Sequence, residues 1–215
     1  MKAYKNRYTL LVIVALCCLP IQGQRAMRDF WLSMPDTLFE YLSDRNRREM
    51  VDFYDMGVRA EVFNALEDMS VMDTLSTHHT EVTLSSSSSL TVAMLPKADA
   101  DTLLCMVHTL CGPEPESTLS LFDKSWQPLS TEGILPQVSP SQLMHRPDTM
   151  SADSYQQLAL LVDPCMISAR YEPADRSLVF RLSTPLLSAT DRERLRPILV
   201  DRSYKWDGKS FIQCE

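Results

Sequence analysis

The chain has 215 residues, 45% of them apolar and 23% charged, and 28 acids against 21 bases give it a net charge of −7. That composition is ordinary globular material, long enough to bury a sizeable core, and excludes a disordered tail. The acidic balance argues against nucleic acid, whose affinity comes largely from Lys and Arg neutralising phosphates, and equally against an anionic membrane surface.

At the N-terminus, Lys2, Lys5 and Arg7 make a basic start, Leu10 to Leu19 is an unbroken apolar run, and Pro20 breaks it. This is the three-part form of a secretory signal peptide over residues 1–23, with Gly23 as the small residue before a cut at Gln24. Ile21, at −3, is larger than an ideal cleavage site prefers. A membrane-spanning helix needs roughly 20 apolar residues, so a run about half that length is expected to be removed rather than to anchor. Cys17 and Cys18 lack the small preceding residue that lipidation requires, which sets a lipoprotein aside. The working body is therefore expected in the periplasm or outside the cell, with no transmembrane segment after cleavage.

Residues 24–127 read as a helix pair followed by antiparallel sheet. Thr37-x-x-Glu40 is a capping-box pattern in front of Leu38, Phe39 and Leu42, which predicts a first helix there. A second follows Asp44, with Met50, Phe53 and Tyr54 at i, i+3 and i+4 and Gly57 as its stop. From Ala60 to Trp126 the runs alternate with period two: Leu90, Val92 and Met94 on one face, then Leu103, Cys105 and Val107, then Leu119 and Leu121. The five serines Ser85 to Ser89 lie between two such runs and read as a hairpin connection or a bulged edge.

Residues 128–150 lose the periodicity and carry Pro128, Pro136, Pro140 and Pro147, the pattern of a connection between halves. Residues 151–215 read as a second, smaller α+β half. Tyr155, Leu158, Ala159 and Val162 mark a helix, and strands are expected at Met166–Tyr171 and Leu178–Leu182. Thr190-x-x-Glu193 is a second capping-box pattern, opening a short helix that Pro197 ends. Two last strands, Leu199–Tyr204 and Ser210–Cys214, are joined by an Asp207-Gly208 turn. Both halves run helix first and strands after, and each has a late tryptophan. That order raises a diverged tandem repeat, although the residue-level match is thin.

No catalytic, cofactor-binding or metal site emerges from spacing. Most nucleotide sites need glycines where backbone meets phosphate, and Gly57, Gly112, Gly133 and Gly208 belong to no such loop. His78 and His79 are adjacent, near Asp73 and Glu81. On a strand they would point to opposite faces, leaving only His79 and Glu81 on one side. Cys105-x-x-His108-x-x-Cys111 would cluster on a helix, but Val107, Thr109 and the Gly112-Pro113 stop favour a strand, where His108 faces away from both cysteines.

Four cysteines follow the signal: Cys105, Cys111, Cys165 and Cys214. An oxidising compartment permits disulfides among them, in any of three pairings. If residues 103–110 are a strand, Cys105 and Cys111 sit roughly 20 Å apart, too far to pair with each other. Buried free thiols are the competing reading. Trp31, Trp126 and Trp206 could line a ligand groove, although tryptophans so placed more often fill a core.

Several stretches together resemble a known family. They are Arg28-Asp29-x-Trp31 through Met34-Pro35-Asp36, Asp52-Phe53-Tyr54 to Gly57, His108-Thr109-x-Cys111-Gly112-Pro113, and Ser117-x-x-Ser120-Leu121-Phe122 with Trp126-Gln127-Pro128-Leu129. The last is Tyr204-Lys205-Trp206-Asp207-Gly208-Lys209-x-Phe211. The combination is similar to the exported domain of unknown function numbered 3256, from Bacteroidales bacteria. The resemblance implies an envelope protein and carries no catalytic residue to transfer. It also implies a glycine turn after Asn64-x-Leu66, where this chain has Glu67-Asp68. The expectation is thus an α+β, non-catalytic exported protein that binds a partner protein or an envelope component. The alternative is a secreted hydrolase whose residues, drawn from His108, His145 and the cysteines, converge only in three dimensions.

Overall fold

Runs of alternating residues, closed by tight turns, give this chain two antiparallel sheets. The computed structural model describes residues 26–214, so the signal-peptide reading of residues 1–23 lies outside the described residues. The first sheet has seven strands in sequence order: β1 (Glu61–Phe63), β2 (Met69–Leu75), β3 (His79–Ser85), β4 (Ser88–Pro96), β5 (Thr102–Cys111), β6 (Pro115–Phe122) and β7 (Pro128–Leu129). Four more, β8 (Met166–Glu172), β9 (Ser177–Ser183), β10 (Arg202–Trp206) and β11 (Phe211–Gln213), form a second sheet in the order β11-β10-β9-β8. The fold is α+β, with the smaller sheet contributed by the C-terminal part. Among the described residues, no helix is long and apolar enough to cross a membrane.

Two helices cover one face of the first sheet. Helix α1 (Met27–Leu32) buries Met27, Phe30 and Trp31, one i, i+3, i+4 stripe. Helix α2 (Asp44–Asp55) starts at Ser43, whose hydroxyl accepts the Asn46 N–H, and ends before Gly57 at φ +68. The helix expected from Thr37-x-x-Glu40 is instead a single 3-10 turn, Asp36–Leu38. Its cause lies one helix away. The buried Arg47 guanidinium donates to the carbonyls of Met34 and Leu42 and pairs with Asp36 at 2.9 Å, so the chain wraps around a cation instead of continuing helically.

Helix α3 (Ala152–Ala159) follows Ser151, and α4 (Ala189–Leu195) is capped by Ser188, not by Thr190: the Ser188 hydroxyl accepts the Asp191 N–H. Pro197 falls in the 3-10 turn Arg196–Ile198 that follows.

The serine run is a hairpin connection, with Ser85 opposite Ser88. At the β10–β11 turn, Asp207 Oδ1 accepts the N–H groups of Lys209 and Ser210 while Gly208 takes φ +100. In the β1–β2 turn, Glu67 stands at φ +59, the left-handed conformation that glycine fills at least cost. Buried Asn64 holds that turn by accepting the N–H groups of Leu66 and Asp68 and donating to Ser70 and to the Leu84 carbonyl.

The first sheet is buried on both faces at its centre. Leu90, Val92, Met94, Leu104 and Met106 pack under α1 and α2, while Ala93, Leu95, Leu103, Cys105 and Val107 pack against the second sheet. Each fully buried Leu or Val contributes about 1.5–3 kcal/mol of transfer free energy. The second core also takes Leu135 and Leu143 from the proline-rich stretch and Leu195 and Ile198 from the α4 region.

Candidate functional site

The sequence candidates disperse over the fold. Cys105 is fully buried on the face toward the second sheet, where burial pushes its thiol up to about 12. His108, three residues on, faces the helices and meets Phe39 edge-on at 5.3 Å between ring centres. Burial lowers its pKa, and its buried Nε2 has no hydrogen-bond partner. Cys111 is exposed at the end of β5, and all four cysteines are free thiols. His145 is exposed on a loop. Among the described residues, no three His, Cys, Asp or Glu side chains are grouped to hold a metal ion.

The three tryptophans are core. Trp31 and Trp126 lie under the first sheet, with Trp126 Nε1 donating to the Phe30 carbonyl at 3.1 Å. Trp206 lies between the sheets, and its Nε1 donates to the Pro96 carbonyl at 2.7 Å.

His78 and His79, in contrast, stand at a cleft. Three segments distant in sequence wall a volume of about 500 Å³: the β2–β3 loop Ser76–His78 with His79 at the start of β3, Tyr171 at the end of β8 with the turn Pro173–Arg176, and Lys205 of β10. A smaller recess of about 110 Å³ adjoins it, sharing His78 and Arg176 and reaching Met94, Pro96 and Thr102. The size is that of a small-molecule or side-chain recognition site.

The main chain of both walls is pinned. Thr77 O accepts the Met27 N–H at 2.9 Å, and His78 O accepts the Met94 N–H at 2.8 Å. Opposite them, Arg176 O accepts the Trp206 N–H at 3.0 Å, and Lys205 sits across from Ser177 in the β9–β10 register. Arg176 is held at φ +57. Asp175 Oδ1 accepts the Ser177 hydroxyl at 2.8 Å.

Ser76 and His79 make the one contact here with a catalytic look. Ser76 Oγ lies 2.6 Å from His79 Nδ1. The same oxygen also accepts the backbone N–H groups of His78 at 3.2 Å and His79 at 3.0 Å, which occupies the lone pairs a nucleophile would use. Its role is that of a turn clamp. Burial lowers the His79 pKa, opposed by the nearby Glu81 carboxylate, so the ring is neutral at neutral pH. Its ring centre is 6.3 Å from that of Tyr171, whose phenol burial pushes up to about 12 and keeps protonated. The cleft floor is thus two uncharged rings, one from each sheet.

The cleft was not legible in advance. The histidine pair was visible, but its partners lie about a hundred residues away, and no periodicity connects them.

Comparison with known proteins places the chain without assigning it a task. The family model described as a protein of unknown function (DUF3256) matches residues 20–211. The solved structure of a domain of an uncharacterized protein from Porphyromonas gingivalis W83 is similar at a TM-score of 0.72 and 16% identity, covering 87% of this chain and 97% of that one. At that identity the likeness shows the fold alone. Among curated proteins, none matches significantly.

Proposed function

We propose that this chain, which belongs to the DUF3256 family of proteins of unknown function, is a non-catalytic exported protein that binds a partner protein or an envelope component through the cleft between its sheets. One observation carries the reading: the cleft of about 500 Å³ has walls of pinned main chain and exposed polar side chains at its rim. A fixed concavity with few convergent polar groups is the form of a recognition site. The signal pattern of residues 1–23 supports placing that work beyond the inner membrane. The acidic body supports a partner other than nucleic acid.

The test is crosslinking in cells of the native host followed by mass spectrometry. Partner peptides joined to Lys205, on a protein whose N-terminus is Gln24, are the expected result. A protein recovered with Met1 attached and with crosslinks only far from the cleft would overturn it. The hydrolase reading has one specific contact in its favour, Ser76 with His79. If purified protein turns over ester, peptide or glycan substrates and Ser76→Ala abolishes that turnover, the hydrolase reading replaces this one.

A further inference from the structure

Resting on the binding reading above, we infer that the cleft receives an oxyanion: a phosphate or carboxylate group carried by a small molecule or a headgroup. The chain as a whole is acidic, with 28 Asp and Glu against 21 Lys and Arg. Most of its described cations are ion-paired with carboxylates of the same chain, largely at the surface. Arg28, Arg47, Arg48, Arg59, Lys97 and Lys124 are ion-paired, as are the described arginines of β8, of α4 and the turn after it, and Arg181 of β9. Arg45, Arg146, Arg176, Arg202, Lys205 and Lys209 make no ion pair among the described residues, and two of these, Arg176 and Lys205, line this cleft. Among the described residues, no carboxylate lies in ion-pair range of either.

Other polar groups on the walls can donate hydrogen bonds. Thr77 offers a hydroxyl, His78 an imidazole at the boundary of the two recesses, and Tyr171 a phenol that stays protonated. The single acid, Asp175, already has Oδ1 engaged by Ser177. Two unpaired cations set among hydroxyl, phenol and imidazole groups complement a ligand rich in acceptors and negative charge. An arginine suits such a ligand by its forked donors.

The backbone adds a second mark. The turn after β8 is four residues, and its last, Arg176, is left-handed at φ +57. Glycine would fill that position without the cost of roughly 1–2 kcal/mol that an L-residue meets there. The chain keeps a guanidinium at the cleft instead.

The experiment is a titration of isotope-labelled mature protein, followed by amide chemical shifts. The probes are inorganic phosphate, glucose 6-phosphate, glucose, and vesicles of phosphatidylglycerol or of phosphatidylcholine. Expected are saturable shifts at Thr77–His79, Ala174–Arg176 and Lys205 with phosphate and glucose 6-phosphate, and none with glucose. A headgroup source adds binding to phosphatidylglycerol vesicles only; a soluble source leaves both vesicle types unbound. The double variant Arg176→Gln, Lys205→Gln should weaken the phosphate response at least tenfold, and Arg45→Gln should leave it unchanged.

Shifts spread over the whole surface, an equal response to glucose, or an unaltered response in the double variant would overturn the inference. So would no response at all. If crosslinks still map to the cleft in cells while phosphate shifts nothing, the anion falls and the binding site stands. If neither appears, both fall.

Discussion

Ser117 stands in for a neighbouring strand beside Ala169: its hydroxyl accepts the Ala169 N–H at 2.9 Å and lies 3.3 Å from the Ala169 carbonyl. Strand β8 is the edge of the second sheet, and an edge strand carries unpaired backbone groups that need cover. Here the cover comes from β6 of the first sheet, and Thr109 of β5 steadies the serine at 2.8 Å. One side chain therefore links the two sheets and satisfies the edge strand's backbone at Ala169.

Ser117→Ala should remove that join while leaving both sheets folded. A lost partner for a part-buried amide costs about 1–2 kcal/mol. Urea denaturation should show this loss, and amide exchange at Ala169 should quicken relative to its neighbours in β8. Unchanged exchange at Ala169 would mean the serine is not its protection.

Arg47 should prove a fastener of the N-terminal layer. It is nearly fully buried and holds the carbonyls of Met34 and Leu42. Arg47→Met keeps the aliphatic packing and strands both carbonyls, for a loss of about 3 kcal/mol. Arg47→Lys should recover little, since an ammonium cannot span both sites as a guanidinium does. A chemical-denaturation series on the three proteins checks this.

Acid should destabilise the fold before the carboxylates titrate. His79 and His108 both have pKa values lowered mainly by burial. A lowered histidine pKa means that the unfolded chain binds more protons below about 6.5, so stability is full above that pH and is lost as pH falls through the folded values. The urea midpoint should drop between pH 7.5 and 5.5. His108→Leu removes an unpartnered buried nitrogen and should flatten that dependence without loss at pH 7.5. A midpoint that rises on acidification would contradict the assignment.

Thiol chemistry should separate Cys105 from Cys111. Burial holds the Cys105 thiol at about 12, while Cys111 is exposed. Only the thiolate reacts with iodoacetamide. At pH 8 the folded protein should be alkylated at Cys111 and spared at Cys105 until denaturant is added. Equal rates would mean that the sheets part on the labelling timescale.

What was legible in the sequence was whatever local chemistry decides. Leu90, Val92 and Met94 alternate because one sheet face meets the helices, and Asp207-Gly208 is a turn because its own carboxylate and a flexible backbone close it. The turn after Leu66 came from the family resemblance instead: where that resemblance implies glycine, Glu67 is left-handed, and Asn64 holds the geometry around it. The 36–42 stretch was misread because its conformation answers to Arg47, a buried cation no local pattern reveals. Helix α1 carried a readable stripe, Met27, Phe30 and Trp31, but only two turns' worth. The tryptophans are core, the reading their positions favoured over a ligand groove, while the cleft formed from a loop, a turn and the strand residues His79, Tyr171 and Lys205, which only the packing of two sheets brings together.

The most direct test is a photo-crosslinker placed at Thr77, on the cleft wall, compared in living cells with the same group at Ile212, exposed on the edge strand β11. A discrete, competable adduct from Thr77 and none from Ile212 is the predicted result. Adducts from Ile212 alone, or from neither position in cells that make the protein, would contradict the claim that this cleft is where it binds.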